Sequence, residues 1–126
     1  MRPICVTCSV LTALLAFCLI NSVWLSHRCE EWNDSLLRID TLARAESWDE
    51  AESQLEDVYA DWQSVQIWLH IIIEHKELDE AESLFCRARV LAEEEDSVEF
   101  RAHIADLLSQ LRLLRELEEP SLPNVL

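Results

Sequence analysis

His70, Glu74, His75 and Glu77 are the one grouping in this 126-residue chain whose types and spacing could assemble a reactive centre. On one continuous helix His70 and Glu74 stand four apart and share a face with Glu77, a set able to ligate a metal ion. His75 would then point about 140° away from His70. Inverted zinc-protease signatures place two residues between the first histidine and the glutamate; here there are three, so the pattern is out of register. One helix supplies at most three ligands, and no second cluster accompanies it. The plainer reading is that His70 interrupts an apolar face to find a hydrogen-bond partner, while Glu74 to Glu77 mark a helix boundary. A metal-binding protein or metal-dependent enzyme centred on His70 and Glu74 is therefore the alternative; the leading expectation is no catalytic residue and no cofactor.

The remaining acids offer less. Glu30/Glu31, Glu93 to Asp96 and Glu118/Glu119 have the look of paired carboxylates, but they fall at expected helix ends or in runs of like charge, which usually means a solvated surface. Gly-rich phosphate loops, dinucleotide-binding turns and nucleophile elbows are excluded in their usual form, because the chain contains no glycine. Residues 29–126 hold all 25 acids against eight basic residues, a net charge of −17. Such a surface repels nucleic acid and anionic headgroups. Of the five cysteines, Cys5, Cys8 and Cys18 sit in an apolar stretch where a thiol behaves as a small hydrophobe. Cys29 and Cys86 pair only if the fold brings them together, and free thiols are expected.

Three tryptophans, Trp48, Trp62 and Trp68, fall close together in the middle of the chain. Their main expected role is to fill a helical core. Their functional role would be to line a groove for a partner helix or peptide. Trp68 is the first candidate, since it lies outside the main apolar stripe, and Trp62 and His75 complete the set of candidate partner-binding residues.

The elements that must position these residues are helices. Prolines occur only at positions 3, 120 and 123, so from Cys29 to Glu119 nothing breaks a helix outright. Trp32, Leu36, Ile39 and Ala43 make a first amphipathic stripe. Ser47 and Glu50 have capping-box spacing and open a second helix near Trp48. Along it Trp48, Ala51, Leu55, Val58, Trp62, Val65, Leu69 and Ile72 alternate by three and four, a seven-residue repeat. Ile67, Trp68, Ile71 and Ile73 widen that stripe, which predicts that this end lies at the centre of the core. After a polar interruption at 74–79, a third helix carries Leu78, Ala81, Phe85, Ala88 and Ala92. Asp96 and Glu99 form a second capping box ahead of a fourth helix with Phe100, Ile104, Leu107, Leu111 and Leu114. Asp-Glu-Ala-Glu-Ser occurs at 49–53 and again at 79–83. A tetratricopeptide-like helical-hairpin repeat would give such an echo, but there is no third copy.

Ahead of all this, Ile4 to Leu25 contains no charged residue and residues 1–28 contain no acid. As a helix those 22 residues span about 33 Å, enough to cross a hydrocarbon core of ~30 Å. The run is longer than the apolar part of a cleaved signal, and Ile20-Asn21-Ser22 is a poor cleavage site, so an uncleaved anchor is expected. Basic residues on the two flanks nearly balance. The usual arrangement for a short leader puts the N-terminus in the cytoplasm and the acidic part outside.

Taken together, the span, Trp48-Asp49-Glu50-Ala51 opening a helix, Trp62 and Trp68, Ile73-Glu74-His75 running into Glu77-Leu78-Asp79, and the leucine-rich last helix resemble one bacterial family. It is an uncharacterised family of small, N-terminally membrane-anchored helical proteins from clostridia-like Gram-positive bacteria, a domain of unknown function. The resemblance implies a single-span protein with a small helical domain and no particular activity. The expected architecture is all-α: a leader and transmembrane helix at 1–28, an antiparallel bundle of three to four helices at 29–119, and a disordered tail at 120–126. The expected role is a non-catalytic, membrane-anchored interaction or scaffold module. Its partner would be another protein or a second copy of itself, with the membrane held through residues 4–25.

Overall fold

The computed structural model describes residues 2–118, and among them the chain forms five helices and no strand. These are α1 (Arg2–Arg44), α2 (Trp48–Ser64), α3 (Gln66–Ile72), α4 (His75–Glu93) and α5 (Ser97–Glu118). The tail expected at 120–126 lies outside the described residues.

Each amphipathic stripe found in the sequence faces the core. Trp32, Leu36, Ile39 and Ala43 of α1, Ala51, Leu55 and Trp62 of α2, Leu78, Ala81, Phe85 and Ala88 of α4, and Phe100, Ile104, Leu107, Leu111 and Leu114 of α5 are all buried. Four helices pack as a ring, α1 on α2, α2 on α4, α4 on α5, and α5 back on α1. The chain therefore runs up, down, up and down, with the short α3 inserted at the end where α2 turns into α4.

That end, from which the N-terminal half of α1 projects, is the foot of the bundle. Every residue from Arg2 to Ile20 is exposed, and α1 is the one described helix long and apolar enough to cross a membrane. The first core residue is Leu25, and Trp24 packs beside the core. The bundle thus begins inside the apolar stretch, ahead of the expected boundary after residue 28. No break separates the two parts of α1.

Two hairpins with the same register make up the bundle, α1–α2 and α4–α5. Shifting by 49 positions carries the core residues Cys29, Trp32, Leu36, Ile39 and Ala43 onto Leu78, Ala81, Phe85, Ala88 and Ala92, and Ala51, Leu55, Val58 and Trp62 onto Phe100, Ile104, Leu107 and Leu111. The turns match as well. Glu46 and Glu95 both adopt left-handed backbone, at φ 60° and 54°. In each, the next amide reaches back five residues: Ser47 N–H donates to Leu42 O at 2.9 Å, and Asp96 N–H to Leu91 O at 3.2 Å. This is the Schellman end of a helix, built twice without glycine. The internal pairing is therefore at 49, and the Asp-Glu-Ala-Glu-Ser echo at 30 opens α2 but falls inside α4.

The two capping boxes fare differently. Asp96 Oδ1 accepts the Glu99 amide at 3.2 Å, whereas the Ser47 side chain makes no cap bond.

The expected helix from Trp48 to Ile72 is interrupted. At Val65 the backbone moves to φ −108°, ψ 9°, and its amide turns to Trp62 O, three residues back. Ser64 Oγ meanwhile donates to Asp61 O at 2.6 Å, a local bond that competes with the helical ladder. A second break follows at Ile73 and Glu74, both extended. Three consecutive β-branched isoleucines, Ile71 to Ile73, run into it and weaken the helix there.

Candidate functional site

At the foot the structure gathers most residues with chemistry to offer. Trp62 is fully buried, so of the candidate partner-binding residues it belongs to the core. Its indole is met edge-on by Trp32 from α1, with ring centroids 5.5 Å apart, and at a tilt of 38° by Phe85 from α4, also at 5.5 Å. A buried indole needs an acceptor for its single N–H. Trp62 Nε1 donates to Glu82 Oε2 at 3.0 Å, and Trp32 Nε1 donates to Asp61 Oδ2 at 2.6 Å.

Each of those carboxylates is held by a second partner. Arg28 Nη1 donates to both oxygens of Asp61, at 2.8 and 2.9 Å. The Tyr59 hydroxyl donates to Glu82 Oε1 and accepts from Gln63 Nε2 at 2.9 Å. The bond to Glu82, together with burial and the negative charge of Glu82, raises the Tyr59 phenol well above its ordinary range. Arg89 lies over the Tyr59 ring at 4.5 Å and pairs with Glu56, whose bond raises the guanidinium further. The result is an aromatic–carboxylate ladder tying α1, α2 and α4 together. Its polar atoms are engaged with one another, as structural networks are.

The 49-residue correspondence extends to this polar layer. Arg28 and Asp61 map onto Glu77 and Gln110, and Gln110 Nε2 donates to Glu77 Oε2 at 2.9 Å. Sequence reasoning missed Asp61 and Glu82 as partners of the tryptophans. The available signal was the need of a buried indole N–H for an acceptor, but nothing local says which acid, 20 or more positions away, supplies it.

The histidine cluster is rearranged by the break at Ile73. His70 ends on α3, Glu74 is the extended residue before α4, and His75 is the first residue of α4. His70 and Glu74 therefore do not share a helical face. His70 and His75, expected to diverge, approach with their Nδ1 atoms 2.8 Å apart, one donating and the other accepting. Both are exposed, and among the described residues no group of three or more His, Cys, Asp and Glu could hold a metal ion.

Trp68, the remaining candidate, is half-buried and meets Phe17 of α1 edge-on, with centroids 6.0 Å apart. The core is not centred on this segment as expected: Leu69 and Ile73 are buried, but Ile67 is 83% and Ile71 69% exposed. The five cysteines are free. Cys29 is buried in the core, where desolvation pushes its thiol up to about 12 against the opposing charge of Arg115, and Cys86 is exposed on α4.

Fold and site together define a small all-α protein in which one long, apolar N-terminal helix continues into an antiparallel bundle. The family described as Domain of unknown function (DUF4363) matches residues 19–125, and the chain belongs to it. No curated protein and no solved structure matches the chain.

Proposed function

We propose that this chain is a non-catalytic interaction or scaffold module, anchored in the cell membrane by residues 4–25, with a cytoplasmic N-terminus and the bundle outside. The observation that carries this reading is the continuity of α1. One helix of 43 residues, about 65 Å at 1.5 Å per residue, serves as both the apolar span and a wall of the bundle. A bundle so mounted keeps a fixed distance and rotation relative to the bilayer, which suits presentation of a helical surface to a membrane-bound partner. The seven-residue stripe of α2 is consumed inside the bundle, so the surface on offer is elsewhere: Leu37 of α1, Val90 of α4 and Val98 of α5 are large apolar side chains left exposed.

Orientation and interaction are tested separately. A membrane-impermeant maleimide should label Cys86 in intact cells, and Cys86→Ser should abolish the label. Labelling only after lysis would put the bundle in the cytoplasm. A photoreactive side chain at position 37, 90 or 98 should give a discrete protein adduct in cells, lost when a flexible Gly-Ser segment is inserted between Val23 and Trp24. An absence of adducts from all three positions would sink the interaction reading.

A further inference from the structure

We propose that α3 is a membrane-surface helix whose Ile67, Trp68 and Ile71 side chains lie in the headgroup–acyl boundary of the leaflet from which α1 emerges. The inference rests on the anchoring of α1 and adds a second, lateral contact with the same bilayer.

Three observations converge on lipid as the occupant. First, α3 is two-sided. Leu69 and the following Ile73 hold it to the bundle, while Ile67 and Ile71, one turn apart on one face, are large apolar side chains left 83% and 69% exposed. Second, Trp68 rests on Phe17. Phe17 lies eight positions before Leu25, the first core residue, and so about 12 Å further along α1, within the uncharged run from Ile4 to Leu25. Phe17 is also three positions, about 5 Å, inside Ile20, the last residue of the fully exposed stretch of α1, so with that stretch across a bilayer Trp68 reaches the level at which interfacial helices sit, about 5–10 Å into the boundary. Tryptophan is the side chain enriched at that depth.

Third, the charges fit. No acid occurs within α3, in a chain where acids outnumber basic residues 25 to 10. The single lysine, Lys76, follows it at the start of α4, and Arg28 is at the same end with its guanidinium on Asp61. Long cationic side chains next to an apolar face reach headgroups readily. A protein partner fits less well, because three side chains on a seven-residue helix are far short of the ~800 Å² per side of a stable interface. Lipid needs no such area once α1 has tethered the helix at the surface.

The full-length chain, reconstituted in phosphatidylcholine vesicles, provides the test. Ile71, Leu14 and Val98 are each replaced in turn by p-benzoylphenylalanine and irradiated. Lipid adducts are expected from position 71 at a yield within a few-fold of position 14 in the span, and at least tenfold above position 98 at the opposite end. Adducts at 14 but only background at 71 would overturn the lateral contact while leaving the anchor intact. Adducts from 71 to a second copy of the chain in place of lipid would overturn it too. Background at both 14 and 71 would remove the anchoring reading and this inference with it.

Discussion

Asp61, on the last turn of α2, is shared between Arg28 and Trp32 of α1: the guanidinium nitrogen lies 2.8 Å from one carboxylate oxygen, and the indole nitrogen 2.6 Å from the other. One side chain thereby satisfies a buried indole and neutralises a cation at the point where the apolar part of α1 enters the bundle. Asp61→Ala leaves both donors without their acceptor, and hydrogen bonds to charged groups are worth about 1.5–3 kcal/mol. A loss of about 2–3 kcal/mol is expected in denaturant unfolding of the detergent-solubilised chain. Asp61→Asn keeps an acceptor for Trp32 and should lose about half as much. Equal losses for the two variants would mean that the ion pair, not the indole bond, carries the effect.

The periodic stripes made four of the five helices legible, because helical burial repeats every three or four residues whatever the detailed fold. Leu25 was masked by its context: a leucine at the end of an uncharged run reads as membrane until a neighbouring helix is known to cover it. The break at Val65 has no glycine or proline to announce it. It comes from a serine bonding back to a carbonyl, and from the need to turn α2 into α4 within one layer. The pairing of the two hairpins at 49 residues was hidden because it preserves burial and not identity, with Trp62 standing opposite Leu111 and Trp32 opposite Ala81.

Glu46 and Glu95 hold left-handed backbone where helix ends normally use glycine. A side chain with a Cβ costs about 1–2 kcal/mol there, against about 0.4–1 kcal/mol of extra unfolded-state entropy for glycine. Both glutamates also place negative charge at the negative end of a helix dipole. Glu46→Gly and Glu95→Gly should each stabilise by about 0.5–1 kcal/mol, raising Tm by about 2–5 °C in a thermal melt. Glu46→Ala removes the charge but keeps the Cβ, and should recover only a small part. A gain from alanine equal to that from glycine would assign the effect to charge.

Alkaline pH should weaken the fold in two steps. The Cys29 thiol is neutral when protonated, and burial raises it from 9.0 to about 12. Below pH 9 both folded and unfolded chains keep this proton, so its contribution is complete; above pH 9 the unfolded chain loses it first and stability falls until the folded value is passed. Tyr59, raised above 10.0 chiefly by its bond to Glu82, adds a second proton from about pH 10. Each contributes a slope of about 1.4 kcal/mol per pH unit while only the unfolded state is ionised. Unfolding free energy measured from pH 8 to 11.5 should decline accordingly. Cys29→Ala should flatten the curve between pH 9 and 10, and Tyr59→Phe should flatten it above 10; an unchanged curve in Cys29→Ala would remove the thiol from the account.

Where the bundle begins has a direct thermodynamic consequence. A soluble fragment cut at Cys29, the boundary that charge alone suggests, discards Leu25, which is 1% exposed, and Arg28, which holds Asp61. Burying a leucine contributes about 1.5–3 kcal/mol, and the lost bonds to a charged group add about 1.5–3 kcal/mol. Against a total of about 5–15 kcal/mol for an ordinary domain, such a deficit is severe. Residues 29–126 should therefore unfold about 3–5 kcal/mol more easily than residues 24–126, seen as a lower urea midpoint by far-ultraviolet circular dichroism. The shorter fragment should also bare the Trp62 and Trp32 edge of the core and bind a hydrophobic dye that the longer one does not. Coincident midpoints for the two fragments would show that the turn of α1 from Trp24 to Arg28 contributes nothing to the stability of the bundle.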